Sequence, residues 1–502
     1  MHWHSSRWCC VARVSPPATS PPPSRAADTS VRVLVVGAGL AGLSAAESLV
    51  NAGVDVILID AGHRPGGRTR TVRDRFVNGQ IAESGAEWVD SIHWRYRELM
   101  ARYGVSNEGQ PTPWTTIRRW LFWDGRLVSG HDLDALEPDL FAAIERYEEA
   151  TDAPAARLTD PSRPDQHPDA VYLDSRSLAD VIEEMASGHV GGHGHAHCLG
   201  PAGRLLAARN SQGEFAAEPR QVSCLFVAQQ RANERVEAHR QGVEVTANRV
   251  AGGTSQIAEA LTRELMSRSD GRFRIMFGHR LVWLDQDADR VRAGVSSGKA
   301  DVETFTADHV ILACSLVPLR SVEYRTPMPS LLAEAMNGLG YGSITKTAVQ
   351  FDRRDWKSGY GTTDSVSQRI YESTVDQIAS DGGPEPGILM AYCGGDGGAR
   401  LAASSEDERI SSIADDMRRV HGMNAEVKVL GAFSRAWSAH ANYGGAYAVY
   451  EPGQVTKYWQ VLRESWGRVH LAGEHVATCT GYMEGAIESG RTVAQRVVSL
   501  AS

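Results

Sequence analysis

Cysteine is scarce in this chain of 502 residues, and the seven thiols, Cys9, Cys10, Cys198, Cys224, Cys314, Cys393 and Cys479, form no CxxC pair and no close-spaced framework. That usage argues against a disulfide scaffold and fits a reducing, cytoplasmic compartment. Long apolar runs are missing too. No stretch approaches the ~18 uninterrupted residues that a membrane helix requires, so no membrane partner is expected. Nor is there excess basic charge: 52 Lys and Arg against 61 Asp and Glu leave a net charge of −9, which argues against a nucleic-acid partner and a polybasic membrane signal. Residues 1–30, with PPATSPPPS in the middle, lack the apolar core of a secretion signal and read as a disordered extension. The remaining composition, 42% hydrophobic and 23% charged, is ordinary for a globular protein long enough for two or more domains.

What is present begins with Val31 to Asp60, VRVLVVGAGLAGLSAAESLVNAGVDVILID. The apolar, β-branched run Val31 to Val36 suits a strand buried on both faces. Gly37, Gly39 and Gly42 then fill GxGxxG, with Leu40 and Ala41 between them. The chemistry demands glycine three times: for a tight turn, for approach of the backbone to a pyrophosphate, and for close packing of helix on strand. A helix from Leu43 to Asn51 points its N-terminal amides at the phosphates. A second strand, Val54 to Ile59, ends on Asp60, where a carboxylate can accept from ribose hydroxyls, with Ala61 next in the chain. The unit predicts dinucleotide binding. A plain α/β turn without ligand is the alternative.

Further on, AGHRPGGRTRT places Gly66, Gly67 and Arg68 in a second glycine loop, whose arginine suits a pyrophosphate. IAESGAEWVDSIHWRYRELMARYGV follows, with Glu83, Gly85, Ala86, Glu87 and Trp88 ahead of a helix from about Trp94 to Tyr103. An amphipathic helix near Asp174 to Ala186 has Ser177 as a cap, and Leu205 to Glu244 is mostly helical in pattern. GHVGGHGHAHC, Gly188 to Cys198, matches no tetrahedral spacing and reads as a solvated loop, so no metal is expected. Strand-like runs cover Arg280 to Leu284, His309 to Cys314 and SITKTAVQF. The alternation of the last would send Lys346 to solvent. Near the C-terminus, GRVHLAGEHVATCTGYMEGAIESGRTVAQRVV gives a strand from Arg468 to Ala472, then Gly473, Glu474, Gly481, Tyr482 and a helix from Met483 with Ile487, Ala494, Val497 and Val498 on one face.

GAGLAGLSAA, then ID followed by PGGRTRT, then ESGAEWV, together with the GYMEGAIESG run, resemble the flavin-containing amine oxidase family, which includes monoamine, polyamine and putrescine oxidases and L-amino-acid oxidases. The family usually ends its second strand on Glu; here Asp60 is one methylene shorter. The resemblance implies an α/β, two-domain, FAD-binding Rossmann-type fold with a mixed α+β substrate-binding domain. The expected FAD domain is discontinuous (31–90, 246–322, 437–502), and the expected substrate domain is 91–245 plus 323–436. The resemblance implies FAD contacts along the residues named above and at the backbone of Leu281, with the helix start at Tyr482 and Met483 facing the flavin. It also reverses the reading of Lys346, implying a lysine that holds a water against flavin N5.

An aromatic substrate cleft is expected from Trp437, Tyr443, Tyr447 and Tyr482, with Trp88 nearby. Of the two tyrosines that form a cage in monoamine oxidases, one matches Tyr482 and the other falls on Ala446. The cysteine that links flavin covalently in those enzymes falls on Gly445, so non-covalent FAD is expected; Cys479 lies close by but off the linking position. The implied reaction is oxidation of an amine or amino acid by hydride transfer, with molecular oxygen reduced to hydrogen peroxide. The arginine that pairs with the substrate carboxylate in L-amino-acid oxidases falls on Trp88, which leans toward an amine, although Arg95, Arg97, Arg118 or Arg119 could approach the cleft. A desaturase acting on a non-amine and a flavoprotein without turnover stay open, as does a homodimer.

Overall fold

The computed structural model describes residues 32–113, 119–187, 198–298, 301–356, 360–363, 370–373 and 385–501. The N-terminal extension, nearly all of the His-rich stretch and Arg118 lie outside the described residues. Five parallel strands, in the order Phe273–Phe277, Asp55–Asp60, Arg32–Val36, His309–Leu312 and Val469–Leu471, form the sheet that carries the glycine loop. Its central strand is the first in sequence, and its side chains from Val33 to Val36 are buried, as a doubly covered parallel sheet requires.

The helix after the loop spans Leu40–Asn51. It begins earlier than the apolar pattern suggests because Gly39 stays extended and its carbonyl already accepts from the Leu43 amide at 3.0 Å. The terminal helix, Met483–Ala501, packs on it: Leu43 and Ala46 share one core with Ile487, Ala494 and Val497. Gly490 faces Ala41 so closely that a Cβ there would stand 2.2 Å from the Ala41 carbonyl oxygen.

A four-stranded sheet follows, Val302–Ala307, Val291–Ser296, Arg280–Gln286 and Glu323–Tyr324. The largest sheet has seven strands in the order Val429–Ala436, Ile344–Phe351, Gly387–Gly394, Ile370–Ser373, Tyr360–Thr363, Arg119–Trp123 and Arg126–Ser129. Its last two strands come from the 91–245 segment of the expected substrate domain and the other five from 323–436. Ile344–Phe351 is buried at all eight positions. On one face, Val349 and Phe351 pack against Ile413 and Met417 of the helix Glu406–His421. On the other, Ala348 packs with Val72 and Ala82. Alternation therefore has no solvent face to report, and Lys346 is 4% exposed.

Helices Leu140–Asp152, Leu178–Ser187, Pro201–Glu214 and Cys224–Gln241 make the helical part. Ser177 caps the second of these through reciprocal bonds with Asp180, the Asp180 carboxylate accepting the Ser177 amide at 2.8 Å. No helix of the described residues is long and apolar enough to cross a membrane.

Candidate active site

The two glycine loops meet at the C-terminal edge of the parallel sheet, where ligands bind in open α/β folds. Gly37 has φ +113°, and a Cβ there would lie 2.7 Å from the Ala313 carbonyl oxygen. At Gly42 a Cβ would collide with the Gly37 carbonyl. The Cβ direction of Gly39, by contrast, opens onto space with nothing within 4 Å. The backbone is thus bare where a phosphate would need it. Gly66 donates to the Ala38 carbonyl at 2.8 Å and joins the first loop to the second.

Asp60 accepts the Ala38 amide at 2.7 Å and the Gly62 amide at 2.6 Å, clamping the loops with the same carboxylate expected to meet a ribose. Arg68 differs from its sequence reading. Its Nη1 pairs with Glu474 at 2.7 Å and donates to the Ala446 carbonyl, so this side chain ties the second loop to the C-terminal motif. Glu474 also accepts the Gly481 amide at 3.1 Å, and Gly473 sits at φ +140°. Gly85 packs against the Arg68 carbonyl with no room for a side chain, and Ala86 donates to that carbonyl at 3.1 Å. Leu281 is buried at a β-bulge in its strand, Ala61 follows Asp60 into the loop, and Met483 opens the terminal helix.

Lys346 lies close to this seam. Its Nζ donates to Glu87 Oε2 at 2.8 Å and to the Gly85 carbonyl at 3.3 Å. The other Glu87 oxygen pairs with Arg249 at 2.9 Å, whose guanidinium lies over the Trp88 ring at 4.7 Å. Burial works to raise the Glu87 carboxyl, but Lys346 and Arg249 outweigh it and hold it below the ordinary carboxylate value. Neighbouring Glu83 has no such cation in contact; burial pushes it up to about 7 against the opposing Thr254 amide.

The expected aromatics are near one another in part. Trp437 donates to the Ser84 carbonyl at 2.7 Å and meets Tyr443 edge-on at 5.1 Å. Tyr443 also donates to the Gly67 carbonyl at 3.3 Å. Tyr447 shares a hydroxyl contact with Tyr392 at 3.0 Å and donates to the Glu214 carbonyl at 2.8 Å. Its ring flanks Gly481, 3.5 Å from where a Cβ would stand. The aromatic beside the Tyr482 loop is therefore Tyr447, whereas Ala446 is buried with Trp437. Tyr482 keeps 38% of its surface exposed and meets the His93 ring at a tilt, with centroids 5.1 Å apart. Burial pushes His93 down to about 4, and its Nδ1 accepts the Asp90 amide, so the ring is neutral.

Residues 40–498 match the model of the flavin containing amine oxidoreductases. The chain belongs to that family. Among its relatives, an L-amino acid dehydrogenase of Synechocystis sp. is 26% identical across 97% of this chain and 98% of its own length. A flavin-containing amine oxidase of Danio rerio is 24% identical, across 93% of this chain and 85% of its own. The cyclohexylamine oxidase of Brevibacterium oxydans has the same fold, with a TM-score of 0.75 at 20% identity over 94% of this chain and 99% of that one. The protein is thus an FAD-dependent oxidoreductase of the amine oxidase fold, and the open Gly39 backbone between clamped loops fits that cofactor.

Sequence reading missed three side chains at this seam. Arg249, Tyr392 and His93 sit in unremarkable local patterns, and only the fold brings them to Glu87, Tyr447 and Tyr482. Among the described residues no group of three or more His, Cys, Asp or Glu side chains is placed to hold a metal ion.

Proposed function

We propose that this enzyme oxidises an amine that carries no α-carboxylate. The observation behind this reading is the state of Arg249, the guanidinium stacked on Trp88: it is paired with Glu87 at 2.9 Å. Arg95 is likewise paired with Glu484 at 3.0 Å, and Arg97 donates to the Ser91 carbonyl. A substrate carboxylate at Trp88 would have to displace Glu87 from Arg249, leaving a buried carboxylate with one cation fewer.

The chemistry FAD supplies when bound is acceptance of a hydride from the carbon next to nitrogen, with oxygen reduced to hydrogen peroxide. The protein's part is binding and orientation. In this reading the discontinuous segments 31–90, 246–322 and 437–502 hold FAD, while 91–245 and 323–436 hold the substrate. Tyr447 and Tyr482 flank the amine, Trp437 and Tyr443 form the wall behind them, and Lys346 Nζ holds a proton at the Gly85 edge. A neutral amine needs no further base. FAD is held without a covalent bond, because neither Gly445 nor Ala446 carries a thiol. Burial, reinforced by Glu484 and Glu488, raises the Cys479 thiol well above its ordinary value, so that sulfur is not a thiolate. A cytoplasmic setting accords with Cys224, Cys314 and Cys479, which form no disulfide.

The test is anaerobic bleaching of the flavin band with primary amines, polyamines and L-amino acids, followed by peroxide detection on admitting air. Bleaching by amines alone is expected. Bleaching by L-amino acids would favour the second reading, an amino-acid substrate received by Arg249, which the Synechocystis relative's name suggests. Acid precipitation is expected to release the flavin into the supernatant; colour retained in the pellet would overturn non-covalent binding.

A further inference from the structure

Four charged side chains from three segments of the chain converge beside Gly85. Glu83, Glu87 and Lys346 are each less than a tenth exposed, and the Arg249 side chain is 10% exposed. Glu87 divides its carboxylate between two cations, one oxygen at 2.8 Å from Lys346 Nζ and the other at 2.9 Å from Arg249. The Gly85 carbonyl takes a second bond from Nζ at 3.3 Å. Carboxylate and carbonyl together fix where the ammonium points.

Burying two cations side by side is costly unless an anion sits between them. Glu87 is that anion. Glu83, held by Thr71 and the Thr254 amide, is the fourth charge of the group. Tyr392 and Arg435 flank Lys346 in register on the neighbouring strands. Thr71, Gly85 and Thr254 offer only neutral groups.

Resting on the reading that Lys346 faces the flavin, we propose that Glu87 is a positioning residue that balances charge: it bridges Lys346 and Arg249, aims the lysine, and cancels one of two positive charges beside the cofactor. No bond is made or broken in this role. Its consequence is electrostatic, because the charge near the flavin sets how readily the ring system accepts an anion or a hydride.

The experiment measures sulfite affinity at the flavin absorbance band in the FAD-loaded protein at about pH 9, above the Glu83 carboxyl at about 7. No amine is needed. Glu87→Gln adds one net positive charge, Lys346→Met removes one, and the double variant restores the wild-type balance. Sulfite is therefore expected to bind Glu87→Gln about tenfold more tightly than wild type, Lys346→Met about tenfold more weakly, and the double variant about as wild type. Glu87→Asp keeps the charge on a shorter arm. It should match wild type with sulfite yet reduce with substrate about tenfold to a hundredfold more slowly, through misplacement of Nζ. Equal sulfite affinities across the series would overturn the proposal. Should Glu87→Gln fail to fold, Lys346→Arg against Lys346→Met decides: the arginine variant should bind sulfite as wild type does, and equal weakening in both would refute charge balance. A protein that no amine bleaches but whose variants keep this ranking would sink the amine reading and leave this inference standing.

Discussion

Lys346 has a carboxylate on one side and a carbonyl on the other, and replacing it separates chemistry from cofactor retention. Lys346→Met touches none of the glycine loops, so FAD should remain bound while turnover with the best amine falls about a hundredfold, the scale of a lost proton-holding group. Steady-state rates and the flavin-to-protein ratio together check this; an unchanged rate removes Lys346 from the site. At this scale the sequence speaks unevenly. The three glycines of the first loop are legible because a phosphate asks something different of the backbone at each, and all three lie within six residues. Glu87 and Lys346 are 259 positions apart, and an ion pair across that distance leaves no local pattern. The aromatic position next to Tyr482 shows the same limit: only the packing of Tyr447 on Gly481 tells it from Ala446.

Among the elements, the helix Trp94–Arg102 has no side-chain cap of its own. Its cap comes from the first turn of the terminal helix, where buried Glu484 accepts the Arg95 amide at 3.1 Å and the Tyr96 amide at 2.9 Å, and pairs with the Arg95 side chain. Glu484→Ala should therefore cost about 2 kcal/mol, a cap and a buried ion pair together, and lower the midpoint of denaturant unfolding at unchanged slope. Less than about 0.5 kcal/mol would mean that water replaces the carboxylate. Strands and helices with continuous apolar or 3.6-residue patterns form close to where the sequence places them, as in Arg32–Val36 and Met483–Ala501. Arg119–Trp123 and Arg126–Ser129 pair with each other but escape because they are short and join the rest of their sheet only through Arg119–Trp123, which pairs with Tyr360–Thr363 more than two hundred residues later.

At the scale of the whole molecule, burial leaves several histidines neutral. His93 is pushed down to about 4, and His470 and His475 to about 3, from an ordinary value of 6.5. The unfolded chain binds protons at these positions as pH falls below about 6.5, while the folded chain does not. Their stability contribution is thus complete above that pH and is lost on acidification, at about 1.4 kcal/mol per pH unit for each fully titrating histidine. Glu83 acts oppositely: with its carboxyl raised to about 7, its contribution is present below its ordinary value of 4.5 and is lost as pH rises through 7. It therefore offsets one histidine between those limits. The net expectation is a fall of about 3 kcal/mol per pH unit near pH 5, seen as a Tm that drops between pH 6.5 and 5 in calorimetry; a level Tm across that range would contradict it. The parallel sheet carries a further consequence, in the order of synthesis. The central strand, Arg32–Val36, pairs directly with Asp55–Asp60 and His309–Leu312, but Val469–Leu471 and the helix Met483–Ala501 that covers Leu40–Asn51 are synthesised after every other strand of that sheet. A chain truncated before residue 469 would lack both the edge strand of the parallel sheet and the helix that covers Leu40–Asn51, the helix that follows its glycine loop.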